Sequence, residues 1–299
     1  MSSPAVLPGS VAAWVLAARP RTLWAAIAPV LVGAALAADD GAWRPGVFLV
    51  VAASALAIQI GVNFANDVAD AARGADTADR VGPPRAAAEG LLTSRQLWAG
   101  VAFSFGLATV GGALLVWVAG PVVVAIGLAS IAAALGYTNG PVPYGYHGLG
   151  ELFVFVFFGP VATVGTRFVF DRSTTAAAWG GGVAMGLLAA AILVANNYRD
   201  IDTDGAAGKR TLAVRLGRRR TVTLYAVTLL GGVVAGPVFA AFGVLPSGSL
   251  VALAALPPAV RLIGRLRGGK GAELVPVLEN TARLQLLTAV LLVVGIAAI

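Results

Sequence analysis

With 299 residues, 58% of them hydrophobic and only 12% charged, and a mean hydropathy of +0.86, the chain lies outside soluble globular composition and reads as an integral membrane protein. It has no cysteine, which excludes disulfides, thiolate catalysis, Cys-zinc sites and iron–sulfur clusters. The net charge of +7, from 21 basic and 14 acidic groups, would suggest nucleic acid in a soluble protein; in this composition it is assigned to loops on the cytoplasmic side of a bilayer, and no nucleic-acid partner is expected.

The N-terminus has no basic region and no Ala-x-Ala site ahead of an apolar run, so no signal peptide is expected. Residues 1–20 form an N-terminal segment in which VAAWVLAARPRTLW (11–24) reads as a short amphipathic helix ended at Pro20, with Trp14 and Trp24 as interfacial anchors. Apolar runs of spanning length then follow, centred on 22–38, 46–66, 97–119, 121–138, 148–170, 176–197, 221–242, 247–266 and 284–299. DDGAWRPG, VAGPV, NGPVPYGYHG, FDRSTT and FGVLPSG break them with Pro, Gly or charge. The fold class expected is therefore an all-α integral membrane protein of about nine transmembrane helices forming a single domain, 1–299. Its Gly and Ala content suits close helix packing in lipid.

Charge sets the topology. With the N-terminus in the cytoplasm, 18 of the 21 Lys and Arg residues fall on the inner side, and only Arg44, Arg167 and Arg172 on the outer side. The inner loops 67–95 and 200–220 carry the chemistry. NFANDVADAARGADTADRVGPPR (63–85) sets Asn63, Asp67 and Asp70 at i, i+4, i+7. NNYRDIDTDGAAGKR (196–210) sets Asn196, Asp200 and Asp204 at i, i+4, i+8. Each set lies on one helical face. Four spans separate the two, so both emerge on the same side, and the chain reads as two four-helix halves plus one helix. Carboxylates clustered at helix exits repel unless a cation joins them. Oxygen ligands suit Mg²⁺ shared with substrate phosphates, and Arg80, Arg85, Lys209 and Arg210 suit a diphosphate.

On these motifs, and on RPRTLWAAIAPVLVG (19–33), YTNGPVPYGYHGLGELFVFVFFGPVATVGT (137–166), GKRTL (208–212) and ENTARLQLL (279–287), the chain resembles the UbiA-type superfamily of intramembrane aromatic prenyltransferases. Within it the likeness is to the branch that prenylates 1,4-dihydroxy-2-naphthoate. The position four after Asp70, where many members carry a third aspartate, is Gly74, and Asp76 lies six after it.

The resemblance implies a UbiA-like bundle with its active site at the cytoplasmic end, in a bacterial plasma membrane. It implies transfer of a polyprenyl group from its diphosphate to dihydroxynaphthoate, with loss of diphosphate and CO₂, in menaquinone biosynthesis. Two Mg²⁺ ions would be held by Asp67, Asp70, Asp76, Asp200 and Asp204, and the catalytic set is Asp67, Asp70, Asp200, Asp204 and Lys209. Asn63, Asn66, Asn196 and Asn197 would orient the carboxylates or offer carbonyl oxygens, and Arg80, Arg85 and Arg210 would hold phosphates. Tyr137, Asn139, Tyr144, Tyr146 and His147 would meet the acceptor. The allylic cation would be walled by aromatic rings drawn from Phe64, Tyr137, Phe153, Phe155, Phe157, Phe158 and Tyr198.

The alternatives are another aromatic acceptor, such as 4-hydroxybenzoate or homogentisate, and a cation transporter. Transporters place their acidic sites near the bilayer midplane. Bland readings attach to Asp76 and Asp79 (solvated or local caps), Asp202 (solvated or salt-bridged), His147 (a loop hydrogen-bonder), the Phe run 153–158 (helix packing), Arg218–Arg220 (topology anchor) and Glu151 (a capping charge at a helix start).

Overall fold

The structure is a computed structural model and describes residues 6–73, 82, 84–139 and 143–298. Its regular elements are helical, and the described residues contain no strand. Short α1 (Val11–Ala18) is capped by the Ser10 hydroxyl, and a turn at Pro20–Thr22 leads into α2 (Leu23–Asp39). Ala13 and Ala17 of α1 are buried, while its exposed face carries Val11, Ala12 and Val15; its two sides differ in packing and hardly in polarity. Helix α3 (Pro45–Ala72) starts with Pro at its first position, where the missing N–H costs nothing. Helix α4 (Ser94–Ala119) opens on a reciprocal capping box between Thr93 and Gln96 and stops at Gly120–Pro121. Next comes α5 (Val122–Gly136).

The fifth apolar run is not one regular helix. It comprises α6 (Gly150–Val156), a π-helical turn at Phe157–Val161 around Pro160, and α7 (Ala162–Asp171). Proline cannot donate to the ladder, so the helix widens by one residue there. The turn stays in the bundle because Gly159 rests on the Gly182 and Gly186 backbone; a Cβ on Gly159 would lie 2.5 Å from the Gly182 carbonyl. The chain continues as α8 (Ala176–Arg199), short α9 (Ile201–Ala206) and α10 (Leu212–Ala241). A 3₁₀ stretch at Ser247–Ala255 runs into α11 (Leu256–Gly268), and α12 (Leu274–Ala297) closes the bundle.

Among the described residues, eight helical stretches are long and apolar enough to cross a membrane. The remaining expected span, α5, has 15 residues, about 22 Å of helix against roughly 30 Å of hydrocarbon. The expected boundaries move most near the polar clusters. Helix α3 runs six residues past the apolar run ending at 66, because Val68, Ala69, Ala71 and Ala72 continue the helix and Arg73 caps it. Asp67 and Asp70 therefore sit in helix, not in the loop. Helix α10 begins nine residues before 221, with a kink at Gly217 (φ 72°).

Buried α8 packs on α10, α12, α2, α7 and the π turn, and α3 packs on α4, α2 and α1. The largest core cluster joins α8 to α10, α11 and α12. At the end away from the acidic clusters, the buried Arg167 side chain pairs with Asp40 at the end of α2 and with Asp171 at the end of α7.

Candidate active site

Helix α3 carries three polar groups on one buried face: Asn63, Asp67 and Asp70, which are 3%, 1% and 5% exposed. They do different things. Asn63 donates to the Ala18 carbonyl (2.8 Å) and the Thr22 hydroxyl (3.0 Å), pinning the N-terminal segment to α3. Asp67 Oδ2 accepts from the Ala86 amide at 3.2 Å, while its buried Oδ1 has no partner among the described residues. Asp70 is the hub. Its Oδ1 accepts from Tyr146 Oη (2.8 Å) and Lys209 Nζ (3.1 Å), and its Oδ2 lies 3.3 Å from Arg85 Nη2.

Lys209 joins the two acidic segments, since its ammonium is also 3.7 Å from Asp204 Oδ1. It lies 4.6 Å from the centroid of the Tyr146 ring, and the Arg73 guanidinium lies 5.3 Å from the same ring. Burial first, and then the neighbouring Asp70 charge, push the Tyr146 phenol well above its ordinary range, so it remains a donor. Asp204 sits on short α9 in the loop. Burial raises its carboxyl to about 6 and the nearby Asp200 and Asp70 charges add to this, while Lys209 opposes it.

The second segment does not stay on one continuous helix. Helix α8 ends at Arg199, Asp200 has φ −93° and ψ 10°, and α9 restarts at Ile201. The i, i+4 relation survives the break, because the Asp204 amide donates to the Asp200 carbonyl at 2.7 Å. Asp200 itself faces Arg199, whose Nε and Nη2 meet its two oxygens at 2.7 and 2.5 Å. Arg199 also donates to Asn196 Oδ1 at 3.0 Å. Asn197 turns the other way and donates to Glu151 at 2.9 Å.

The loop before α6 supplies the remaining groups. Asn66 accepts from the Thr138 hydroxyl at 2.6 Å, and Asn139 donates to that same hydroxyl at 3.3 Å. Tyr137, Tyr144, Phe153 and Phe157 form a ladder of rings with successive centroids 5.5, 4.0 and 6.2 Å apart. His147 Nδ1 bonds the Pro143 carbonyl and is no part of the acidic hub. Together with Arg73, Tyr146, Arg210 and Arg215, it lines an open cleft of about 530 Å³. Arg210 is exposed there, and its amide donates to the Tyr146 carbonyl at 2.9 Å.

Asp76, Asp79 and Arg80 lie outside the described residues. Among the expected rings, Phe64 packs edge-on against Trp14 and Tyr198 stacks under Arg218, so neither joins the ladder. Arg218 also pairs with Asp202 at 2.7 Å, clasping α9 to α10.

Three residues of this network escape sequence reasoning: Arg199, Thr138 and Glu151. The signal for Arg199 was a cation inside an otherwise apolar helix end, beside a carboxylate. For Thr138 there was none.

Among the described residues, no three acidic or histidine side chains are gathered into a preformed metal cluster. The local reasons are plain: Lys209 lies between Asp70 and Asp204, Arg199 covers Asp200, and Asp67 is turned to a backbone amide. The donor set nevertheless fits a hard divalent cation. Asp70 and Asp204 already share one positive charge, and the unpartnered Asp67 Oδ1 is an oxygen left for another.

The sequence profile of the UbiA prenyltransferase family matches residues 26–273. The chain is 44% identical to 1,4-dihydroxy-2-naphthoate octaprenyltransferase of Mycobacterium tuberculosis, over 94% of this chain and 95% of that one. It is 36% identical to the Escherichia coli protein of the same name, over 95% and 94% of the two chains. Its fold is similar to that of a UbiA homologue from Aeropyrum pernix K1 (TM-score 0.70, 17% identity, covering 94% and 98%). An Archaeoglobus fulgidus homologue, solved bound to DMAPP and Mg²⁺, is equally close (TM-score 0.70, 14% identity, covering 96% and 99%). An all-helical membrane bundle with two Asp segments meeting at one end, and a match over most of its length, make this chain a member of the UbiA prenyltransferase family.

Proposed function

We propose that this enzyme transfers a polyprenyl group from its diphosphate to 1,4-dihydroxy-2-naphthoate, releasing diphosphate and CO₂ and giving demethylmenaquinol. The observation that carries the reading is the meeting of the two acidic segments on Lys209, 3.1 Å from Asp70 and 3.7 Å from Asp204. The relatives' common acceptor supports it from the side of sequence. The reaction is placed at the cytoplasmic face of a bacterial plasma membrane, the side to which 18 of the 21 basic residues are assigned.

Asp67, Asp70, Asp200 and Asp204 would hold two Mg²⁺ ions, with Asp76 as a further ligand. Bound there, the ions neutralise the charge that develops on the departing diphosphate. Lys209 would swing from its carboxylates to a phosphate oxygen, and Arg80, Arg85 and Arg210 would hold the rest of the diphosphate. Arg199 keeps Asp200 and Asn196 aligned with that charge. Tyr146 fixes Asp70 through its hydroxyl and screens the site from the open cleft. The ladder Tyr137–Tyr144–Phe153–Phe157 faces the allylic carbon with π density and excludes water.

The test is product formation from labelled polyprenyl diphosphate and dihydroxynaphthoate in detergent-solubilised membranes. Prenylated naphthoquinol and diphosphate should appear with Mg²⁺ and not with EDTA. Absence of both products with Mg²⁺ present sinks the reading.

A further inference from the structure

Glu151 is a buried carboxylate that the proposed reaction leaves without a task. It opens α6, whose other residues are apolar (GELFVFV), and it is 8% exposed. Its Oε1 accepts from Asn197 Nδ2 at 2.9 Å. Its Oε2 is enclosed and has no hydrogen-bond partner among the described residues. Glu151 lies in the first turn of α6, near its own backbone amide, and its carboxylate is also enclosed between α6 and α8. Buried acceptors without donors are rare in folded proteins, and a ligand that brings its own donor is one way to satisfy them.

The surroundings point to the donor. Gly150, next to Glu151, abuts the Tyr137 ring; a Cβ there would lie 3.3 Å from Tyr137 Cε2 and 3.6 Å from its hydroxyl. The same ring abuts Gly145, where a Cβ would lie 3.0 Å from Tyr137 Cε2, and the next residue, Tyr146, bonds Asp70 of the acidic hub. Tyr137 also begins the aromatic ladder through Tyr144 and Phe153. A flat aromatic molecule lying along that ladder has the acidic hub on one side and Glu151 on another.

We propose that Glu151 is the subsite for a hydroxyl of the aromatic acceptor, its Oε2 accepting a hydrogen bond from a phenolic O–H while the ring lies along the Tyr137–Tyr144–Phe153 wall. This deepens the function proposed above and rests on it. A carboxyl oxygen accepting from the hydroxyl raises electron density on the ring that must attack. A buried group made to bond one hydroxyl rejects analogues that lack it far more strongly than an apolar pocket can.

The experiment compares kcat/KM for 1,4-dihydroxy-2-naphthoate with that for 1-hydroxy-2-naphthoate and 4-hydroxy-2-naphthoate, in the wild type, E151A and E151Q. Comparing the same ratios between enzymes cancels the intrinsic reactivity of each acceptor. In the wild type, one monohydroxy acceptor should be disfavoured by at least about 100-fold. In E151A the disfavour of that acceptor, relative to the dihydroxy acceptor, should shrink at least about tenfold from its wild-type value while the other monohydroxy acceptor's ratio stays within about threefold of its own, with the KM for prenyl diphosphate unchanged. The isosteric E151Q retains an oxygen for Asn197 and should lose at least about tenfold of the discrimination, which keeps the test alive if E151A does not fold. An equal loss on all three acceptors would mean that Glu151 only holds Asn197, and would overturn the inference; so would a wild type without discrimination. A wild type that prenylates none of the three overturns the functional reading itself, and the inference with it.

Discussion

Lys209 Nζ and Asp70 Oδ1 are 3.1 Å apart although 139 residues separate them in sequence. The ion pair closes the two halves of the chain on each other, since Asp70 lies in the last turn of α3 and Lys209 follows α9. It is well shielded: both side chains are nearly enclosed, at 13% and 7% exposed. It is also poised to be exchanged, because an ammonium between two carboxylates holds the position of a stronger cation while its own charge suits a phosphate.

Replacing Lys209 by Gln removes that charge and leaves an amide of similar reach. Activity should fall by roughly 10²–10³ in kcat/KM, the range for losing one group aimed at developing charge. The KM for prenyl diphosphate should rise as kcat falls. Divalent-cation binding in the absence of substrate, followed by Mn²⁺ paramagnetic resonance, should tighten, since the competing ammonium is gone. A Lys209→Gln enzyme with wild-type kcat/KM would remove Lys209 from the chemistry.

Asp70 should be less replaceable than Asp67. Asp70→Asn weakens its bonds to Lys209 and Arg85 and leaves Tyr146 with a neutral partner; Asp67→Asn disturbs the backbone amides of Ala86 and Ala87 and the attraction of Arg19. Both should lower activity, but Asp70→Asn should also lower the melting temperature, by an amount matching about 1–3 kcal/mol for weakened hydrogen bonds between buried charged groups. Equal melting temperatures for the two variants would contradict the hub role of Asp70.

The sequence made the helical bundle and the pairing of the acidic segments legible, because apolar length and the spacing of Asn and Asp are local properties. Which oxygen faces what was not legible. Asn63, on the same face as Asp67 and Asp70, spends its amide on Ala18 and Thr22, contacts made possible by a turn more than 40 residues upstream. Asp200 has the spacing of a metal ligand, yet the adjacent Arg199 claims both its oxygens, a choice set by the helix break at Asp200. Glu151 reads as a capping charge because α6 starts there; its bond to Asn197 comes from α8, which is distant in sequence.

Gly217 should tolerate no side chain. Its φ of 72° with ψ of 167° lies in a region open essentially only to glycine, and it sets the kink that points the start of α10 toward Arg210. Gly217→Ala should cost about 1–3 kcal/mol. It should also raise the KM for prenyl diphosphate, because Arg215 Nε bonds the Arg210 carbonyl across this first turn. Thermal unfolding together with donor titration would detect both effects; unchanged values in both would show the kink to be incidental.

Metal binding should depend on pH through Asp204, whose carboxyl is raised by burial from the usual 3.8 to about 6. Between these values the folded, metal-free protein holds a proton that the unfolded chain releases. Its stability therefore falls as pH rises through that window and levels off above it. Mg²⁺ needs the ionised carboxylate, so below about pH 6 binding must expel the proton, and the apparent affinity should weaken by up to tenfold per unit of pH. Melting curves at pH 5 and pH 7 should thus move in opposite directions: the metal-free protein melts lower at pH 7, while the stabilisation conferred by saturating Mg²⁺ is larger there. Asp204→Asn should abolish the part of both trends that this carboxyl contributes. If Mg²⁺ stabilises the wild type equally at the two pH values, Asp204 does not take part in binding the ion.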